Sequence, residues 1–184
     1  MKKIISLLIS LIFLLNGAVL AEEENSDSVC RETALLAKLQ VYDAIQTDSA
    51  RITRAEFAQI LARLDRAQLD EDFSKGTFFD VPQGDSNAAV IDYVYNKGYM
   101  TVQDNKFLKN DNLLAEDAIF AAVKLLGYSV PAYASDYMQV ADSLGLTRKM
   151  RIKSGEIDYQ SLSKMLYAAI NAPLYFGVAL NEGN

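Results

Sequence analysis

The chain contains no histidine and no tryptophan, and it contains a single cysteine, Cys30. Histidine is the commonest general base and the commonest metal ligand, so its absence argues against acid–base and metal-dependent catalysis. One cysteine permits no disulfide within the chain and, without histidine, no Cys–His nucleophile. Pairs of carboxylates are available and leave a glycosidase-type reaction open. The composition therefore predicts a protein that is not an enzyme and that uses no cofactor and no metal.

Basic residues are also few: 18 lysines and arginines stand against 24 aspartates and glutamates, a formal charge of −6. Lys2 and Lys3, the apolar segment Ile4–Leu15 and the residues before Glu22 predict a signal peptide, Met1–Ala21, cleaved after Ala21. Cleavage removes two lysines and no acid, so the charge of the mature chain is −8. Such a protein does not attract nucleic acid or anionic lipid by its overall field.

Long hydrophobic runs are absent as well. Ser6, Ser10 and Asn16 interrupt the apolar N-terminal segment, whereas a permanent membrane anchor needs about 20 apolar residues. We therefore expect an exported protein with no membrane span after cleavage, beginning with a disordered acidic lead over residues 22–28. The hydrophobic content of 51% predicts one globular domain with a sizeable core.

A helix start is specified in detail by residues 52–57, Ile-Thr-Arg-Ala-Glu-Phe. Thr53 and Glu56 form a capping box, in which the hydroxyl accepts from the Glu56 amide and the carboxylate accepts from the Thr53 amide. Ile52 and Phe57 occupy the positions of a hydrophobic staple. The pattern predicts a helix with Thr53 and Glu56 as its structural caps.

Arg54, in the first turn of this helix, has no task in the capping pattern. A cation is unfavourable there because the helix macrodipole is positive at its N-terminus. We therefore interpret Arg54 as a candidate ligand contact. The alternative is a solvated cation that pairs with a nearby acid.

The design of this segment recurs twice when Ile52 is aligned with Leu113 and with Ile157. Apolar residues follow each aligned position at helical spacing: Phe57, Ile60, Leu61 and Leu64; Ala118, Ala121, Ala122 and Leu125; Leu162, Met165, Leu166 and Ala169. Another amphipathic stretch precedes each one: Cys30, Ala34, Ala37 and Val41; Val90, Ile91, Val94 and Tyr95; Tyr137, Val140, Ala141 and Leu144. Gly98 and Gly145 end the last two stretches, since glycine tolerates positive φ.

We therefore predict an all-α fold in which a helix, an irregular loop and a helix occur three times, with no sheet beyond short loop pairings. The six helices are expected over residues 29–41, 53–66, 87–97, 114–127, 136–144 and 158–171. The three copies, about 29–66, 78–128 and 134–174, form a domain over residues 29–174, followed by a tail, 175–184. Each copy needs its neighbours to bury its apolar face.

Several motifs resemble the S-layer homology (SLH) family. Residues 52–57 match its most recognisable segment, and Phe78-Phe79-Asp80-Val81-Pro82 looks like its FxDVP opening. The eighteen positions from Asp80 to Gly98 match the family spacing, and Tyr137–Gly145 with Ala168–Leu174 is similar to the third repeat of clostridial members. The resemblance covers residues 29–174.

The resemblance implies three repeats in a pseudo-threefold arrangement, with the three first helices together around the axis, the second helices outside, and ligand grooves between repeats. It also implies non-covalent attachment to an anionic, often pyruvylated, secondary cell-wall polysaccharide. The transferable contacts are Arg54, whose planar fork binds a carboxylate bidentately, and Asp80. The alternative for Asp80 is an ordinary turn-forming residue before Val81-Pro82.

The second and third copies depart from the family pattern where Thr53, Arg54 and Glu56 stand in the first. Those positions hold Leu114, Ala115 and Asp117 in the second copy, and Asp158, Tyr159 and Ser161 in the third. Asp158 can cap its helix and Leu114 cannot. We thus expect a secreted cell-wall anchor with a single effective groove. The alternatives are a module that assembles with other surface proteins and, more distantly, an enzyme fragment acting on wall glycan.

Overall fold

The computed structural model describes residues 29–69, 78–128 and 136–175. These ranges contain six α-helices: α1 (Arg31–Lys38), α2 (Arg54–Leu64), α3 (Ala88–Asn96), α4 (Ala115–Leu125), α5 (Asp136–Ser143) and α6 (Tyr159–Ile170). Extended pairing within them is limited to isolated bridges, so the all-α prediction is confirmed. None of these helices has the length and apolar character needed to cross a membrane. The predicted signal peptide, the acidic lead and most of the tail lie outside the described residues.

The first helix differs most from its prediction. Cys30 has an extended backbone and precedes α1 as its N-cap residue, while Gln40 takes a positive φ of 59° after the helix ends. The buried face of α1 consists of Thr33 and Leu36, not of the stripe through Cys30 and Ala34. Of the predicted stripe, Val41 is buried and Ala37 packs against the core, but Cys30 and Ala34 are only partly buried. The prediction was wrong near the start of α1 because a polar residue, Thr33, is buried there by hydrogen bonding to another helix. Its hydroxyl donates to Ser163 Oγ at 2.8 Å.

The predicted helix caps are confirmed. Thr53 Oγ1 accepts from the Glu56 amide at 3.2 Å, and Glu56 Oε2 accepts from the Thr53 amide at 2.7 Å. Asp158 caps α6 by accepting from the Ser161 amide at 2.8 Å. Leu114 precedes α4 without any side-chain cap. The three helices that start at aligned positions thus differ at their N-termini: α2 has a capping box, α4 has no side-chain cap, and α6 is capped by an aspartate.

The predicted stripes of α2, α4 and α6 are buried, apart from Leu64, which is partly exposed. The packing order differs from the expectation that α1, α3 and α5 lie together on an axis. In the described ranges, α4 lies against both α2 and α6, whereas α3 packs on α2, α5 on α4 and α1 on α6. The reason is the width of the apolar surface: α4 buries most of its circumference, while α1 and α5 bury one narrow face.

Backbone hydrogen bonds join the starts of the three inner helices into a ring. The first amide of each helix donates to a carbonyl just before the next of these helices. The pairs are Arg54 N to Asp111 O at 3.0 Å, Ala115 N to Gly155 O at 2.8 Å, and Tyr159 N to Ala50 O at 3.0 Å. These bonds satisfy amides that a helix cannot pair internally.

Candidate functional site

Arg54 is buried at the junction between the first and second copies, with 7% of the residue exposed. Its Nε donates to the carbonyl oxygen of Phe107 at 2.8 Å, and Nη2 donates to that of Thr101 at 2.6 Å. Nη1 donates to Asp117 Oδ2 at 2.7 Å in an ion pair. The guanidinium also lies 5.0 Å from the centroid of the Phe107 ring, a cation–π contact.

These contacts give Arg54 a structural role that the sequence does not reveal. Two of its donors bind both ends of segment 101–107, and the third binds the first turn of α4. The interpretation of Arg54 as a residue without structural partners was therefore wrong. The alternative, a cation paired with an acid, is correct in the pairing but not in the solvation, because the Arg54 side chain is only 9% exposed, while that of Asp117 is 34% exposed.

The partial burial of this ion pair also changes the pKa of Asp117. Desolvation raises the pKa of its carboxyl above the ordinary value, although the Arg54 guanidinium opposes the shift by favouring the carboxylate. Glu116, next to it in the chain, adds a smaller upward contribution. The positive charge of Arg54 is therefore compensated by the carboxylate of Asp117, which is itself partly buried.

Asp80, the other sequence-predicted contact, organises the same loop from its opposite side. Its two carboxylate oxygens accept from the amides of Phe107 at 2.8 Å, Leu108 at 2.7 Å and Lys109 at 3.3 Å. Burial opposes ionisation of Asp80, but these three amides outweigh it, and the pKa lies below its ordinary value. Asp80 and Arg54 are thus brought to one loop, residues 101–109, rather than to one another.

A groove of about 700 Å³ opens beside this loop, and we call it the Arg54 groove. Its walls come from segment 101–103, from the residues that precede α4, and from the third copy at Glu156. The lining residues are Arg54, Thr101, Val102, Gln103, Leu108, Asn110, Asp111, Asn112, Leu114, Asp117 and Glu156. The groove therefore lies where residues of the three sequence segments 29–66, 78–128 and 134–174 meet.

Much of the lining is exposed and polar. Gln103, Asn110, Asp111 and Asn112 are exposed, and no hydrogen bond or ion pair of their side chains is recorded within the described ranges. Leu114, with 43% of its surface exposed, supplies an apolar patch beside them. Unpaired amides, a carboxylate and a small apolar face are what a hydroxyl-rich ligand needs for directional hydrogen bonds and contact.

A smaller pocket lies between the segments 134–174 and 29–66, and we call it the Tyr159 pocket. It measures about 80 Å³ and includes Tyr42, Asp43, Glu56 and Tyr159 in its lining. Tyr159 stands at the position aligned with Arg54, and Glu56 at the position aligned with Asp117. The rings of Tyr42 and Tyr159 meet edge to face at 5.3 Å. Burial, with smaller contributions from Glu56 and Asp43, raises the pKa of Tyr159 to about 12.

Sequence reasoning missed Gln103, Asn110, Asp111 and Asn112. A usable signal was present: three consecutive polar residues, 110–112, come directly before Leu113, the aligned position that begins the inner-helix segment. Among the described residues there is no group of three acidic or cysteine side chains placed to hold a metal ion. Neither a scan against models of known protein families nor a search of curated proteins finds a match to this chain.

Proposed function

We propose that this protein is an exported SLH-like module that attaches non-covalently to a polysaccharide of the cell wall. The Arg54 groove is the proposed attachment site, and no chemical step is part of the proposal. Three lines support it: the motifs that resemble those of SLH domains, the cyclic pairing of the three sequence segments, in which the second helices and not the first are the inner ones, and the chemistry of the groove.

The pseudo-threefold arrangement of repeats belongs to this proposal. The ring of three backbone hydrogen bonds links aligned residues in the same direction each time, from first copy to second, second to third and third to first. The outer helices follow a matching rule, since each packs on the inner helix of the preceding copy, and α1 closes the cycle on α6. A closed ring of three copies accounts for both patterns.

The observation that carries the proposed activity is the set of unpaired polar side chains in the groove. Asn110, Asp111 and Asn112 are held at the surface by a segment whose backbone is fixed to both neighbouring copies. Leu113 N donates to Ile52 O at 2.8 Å, and its carbonyl accepts from Ile157 N at 3.0 Å. Such a segment presents its side chains at a defined spacing, which lowers the entropic cost of binding.

The proposal is tested by retention on purified cell walls, with and without prior removal of the wall polysaccharide. A double variant, Asn110→Ala with Asn112→Ala, loses two amides, each worth about 0.5–1.5 kcal/mol, so we expect about tenfold weaker retention. Asn96→Ala, an exposed asparagine at the end of α3, is the matched control and should behave as wild type.

Two results would refute the proposal. Retention that survives removal of the polysaccharide but not removal of wall proteins would favour the module that assembles with other surface proteins. Equal retention of the double variant and wild type, with both fully folded in thermal melts, would move the attachment site away from the Arg54 groove.

A further inference from the structure

We propose that the Arg54 groove selects sugars without acidic groups, either neutral or amine-bearing, and discriminates against anionic ones. This inference rests on the proposed function and specifies its ligand class. It departs from the anionic, pyruvylated ligand expected from the family resemblance, which stays a prediction that the same experiment tests.

The first reason is that the cation of the groove is already neutralised. Arg54 is the single basic residue among the described residues that line it, beside Asp111, Asp117 and Glu156. Its Nη1 lies 2.7 Å from Asp117, and its other two contacts are to carbonyl oxygens that hold the loop. The side chain is 9% exposed. The guanidinium therefore cannot turn towards a ligand without breaking its hydrogen bonds to Phe107, Thr101 and Asp117.

The second reason is that two cations close to the groove, Lys109 and Arg51, are also paired with acids. Lys109 pairs with Asp85, and Arg51 lies 3.8 Å from the Glu156 carboxylate. Asp111 keeps a free carboxylate at the groove wall, since its side chain has no recorded partner among the described residues. An acidic sugar would therefore meet uncompensated negative charge, on a chain whose net charge is already negative.

The third reason concerns the backbone. Helix N-termini bind anions through free amides, but the first amide of each of the two helices beside this groove already donates. Arg54 N and Ala55 N donate to the carbonyls of Asp111 and Lys109, both at 3.0 Å. Ala115 N, at the start of α4, donates to Gly155 O at 2.8 Å. Neither α2 nor α4 therefore offers its first amide to an anionic group.

The groove instead offers acceptors. The carboxylate of Asp111 and the amide oxygens of Gln103, Asn110 and Asn112 can all accept from hydroxyl or ammonium groups. The amide nitrogens can donate to hydroxyl and ring oxygens. This set matches hydroxyl groups and free amines, and it leaves a ligand carboxylate without a charged partner.

The test uses the mature protein and competition for its retention on purified walls by three oligosaccharides of equal length. The probes are oligomers of glucosamine, of N-acetylglucosamine and of galacturonic acid, at low and at high salt. We expect one of the first two to compete at about tenfold lower concentration than the galacturonic acid oligomer. The difference should shrink at high salt, because it is electrostatic.

A charge-neutralising variant sharpens the test. Asp111→Asn with Glu156→Gln should reduce the discrimination between glucosamine and galacturonic acid oligomers by about tenfold, because the free carboxylate of Asp111 is removed and Arg51 is released from its pair with Glu156. Glu32→Gln, in the first turn of α1, makes a neutralising change away from the groove and should leave the discrimination unchanged. Thermal melts establish that each variant is folded.

The outcomes separate this inference from the proposed function. Galacturonic acid competing as well as or better than the other two would overturn the inference while wall attachment stands. So would retention on walls that none of the three oligosaccharides reduces. Loss of wall retention altogether, in the wild-type protein, would overturn the proposed function and the ligand class with it.

Discussion

The junctions at Arg54 and at Tyr159 share one backbone design and differ in their side chains. At the first, Arg54 N and Ala55 N donate to Asp111 O and Lys109 O, each at 3.0 Å. At the second, Tyr159 N and Gln160 N donate to Ala50 O and Asp48 O, also at 3.0 Å. The side chains then diverge, since Arg54 makes an ion pair with Asp117 and Tyr159 stacks edge to face on Tyr42.

This difference teaches what each part of a copy determines. The backbone hydrogen bonds between the segments are present whether arginine, alanine or tyrosine begins the inner helix. The first-turn residue determines what lies between the copies: an arginine reaches the loop of the next copy and borders a groove of about 700 Å³. A tyrosine borders a pocket of about 80 Å³. At the third junction Ala115 has only a methyl group, so it cannot make either contact.

Among the substitutions that test this difference, Arg54→Ala is expected to have the largest effect on the free energy of unfolding. The change leaves the Asp117 carboxylate unpaired and two loop carbonyls without their donors, so we expect a loss of about 2–4 kcal/mol in the free energy of unfolding. Arg54→Lys should recover part of it, because an ammonium can pair with Asp117 but cannot reproduce the fork. Urea unfolding monitored by circular dichroism measures both.

Tyr159→Phe is the matched change at the other junction. No side-chain hydrogen bond of Tyr159 is recorded within the described ranges, and the ring contact with Tyr42 survives, so the cost should be below about 0.5 kcal/mol. If Arg54→Ala is as stable as the wild-type protein, then Arg54 does not stabilise the contact between loop 101–107 and α4. Wall binding by Arg54→Ala at full stability would, in addition, exclude the guanidinium as a ligand contact.

These junctions also show which structural features could be predicted from the sequence and which could not. The capping box of Thr53 and Glu56 could be predicted because both partners lie within one helical turn. The role of Arg54 could not, because its partners Thr101, Phe107 and Asp117 are 47, 53 and 63 positions away. Helical spacing likewise identified the buried faces of α2, α4 and α6, but it does not specify which helix covers a face. The outer helices were therefore placed wrongly.

Asp80→Asn should have the next largest effect, because it weakens the other attachment of the loop. The three backbone amides lose a charged acceptor and keep one neutral oxygen, so we expect a cost of about 1–2 kcal/mol near neutral pH. Asp104→Asn, on an exposed turn with a φ of 49° that asparagine tolerates, is the control and should cost little.

The pH dependence gives Asp80 a separate signature. Its pKa in the folded protein lies below the ordinary value of 3.8, because the loop amides outweigh the cost of burial. The stability it contributes is therefore complete above 3.8 and is lost as the pH falls through the folded value. Wild type should lose stability more steeply than Asp80→Asn between about pH 4 and pH 2. Parallel profiles for the two proteins would mean that the carboxylate charge is not what holds the loop.

A smaller effect than that of Asp80→Asn is expected at the helix starts, where Thr53 in the first segment is aligned with Leu114 in the second. Thr53→Ala removes the N-cap of α2 and should cost about 1 kcal/mol, because the Glu56 amide loses its acceptor, Thr53 Oγ1. The reverse experiment is possible at Leu114, which precedes α4 with an extended backbone, φ −84° and ψ 145°, and no cap. That conformation is already the one an N-cap threonine requires, and the exposed leucine contributes little packing. Leu114→Thr should therefore raise the free energy of unfolding by about 0.5–1 kcal/mol. A destabilised Leu114→Thr would show that the copies differ in packing at this position and not only in capping.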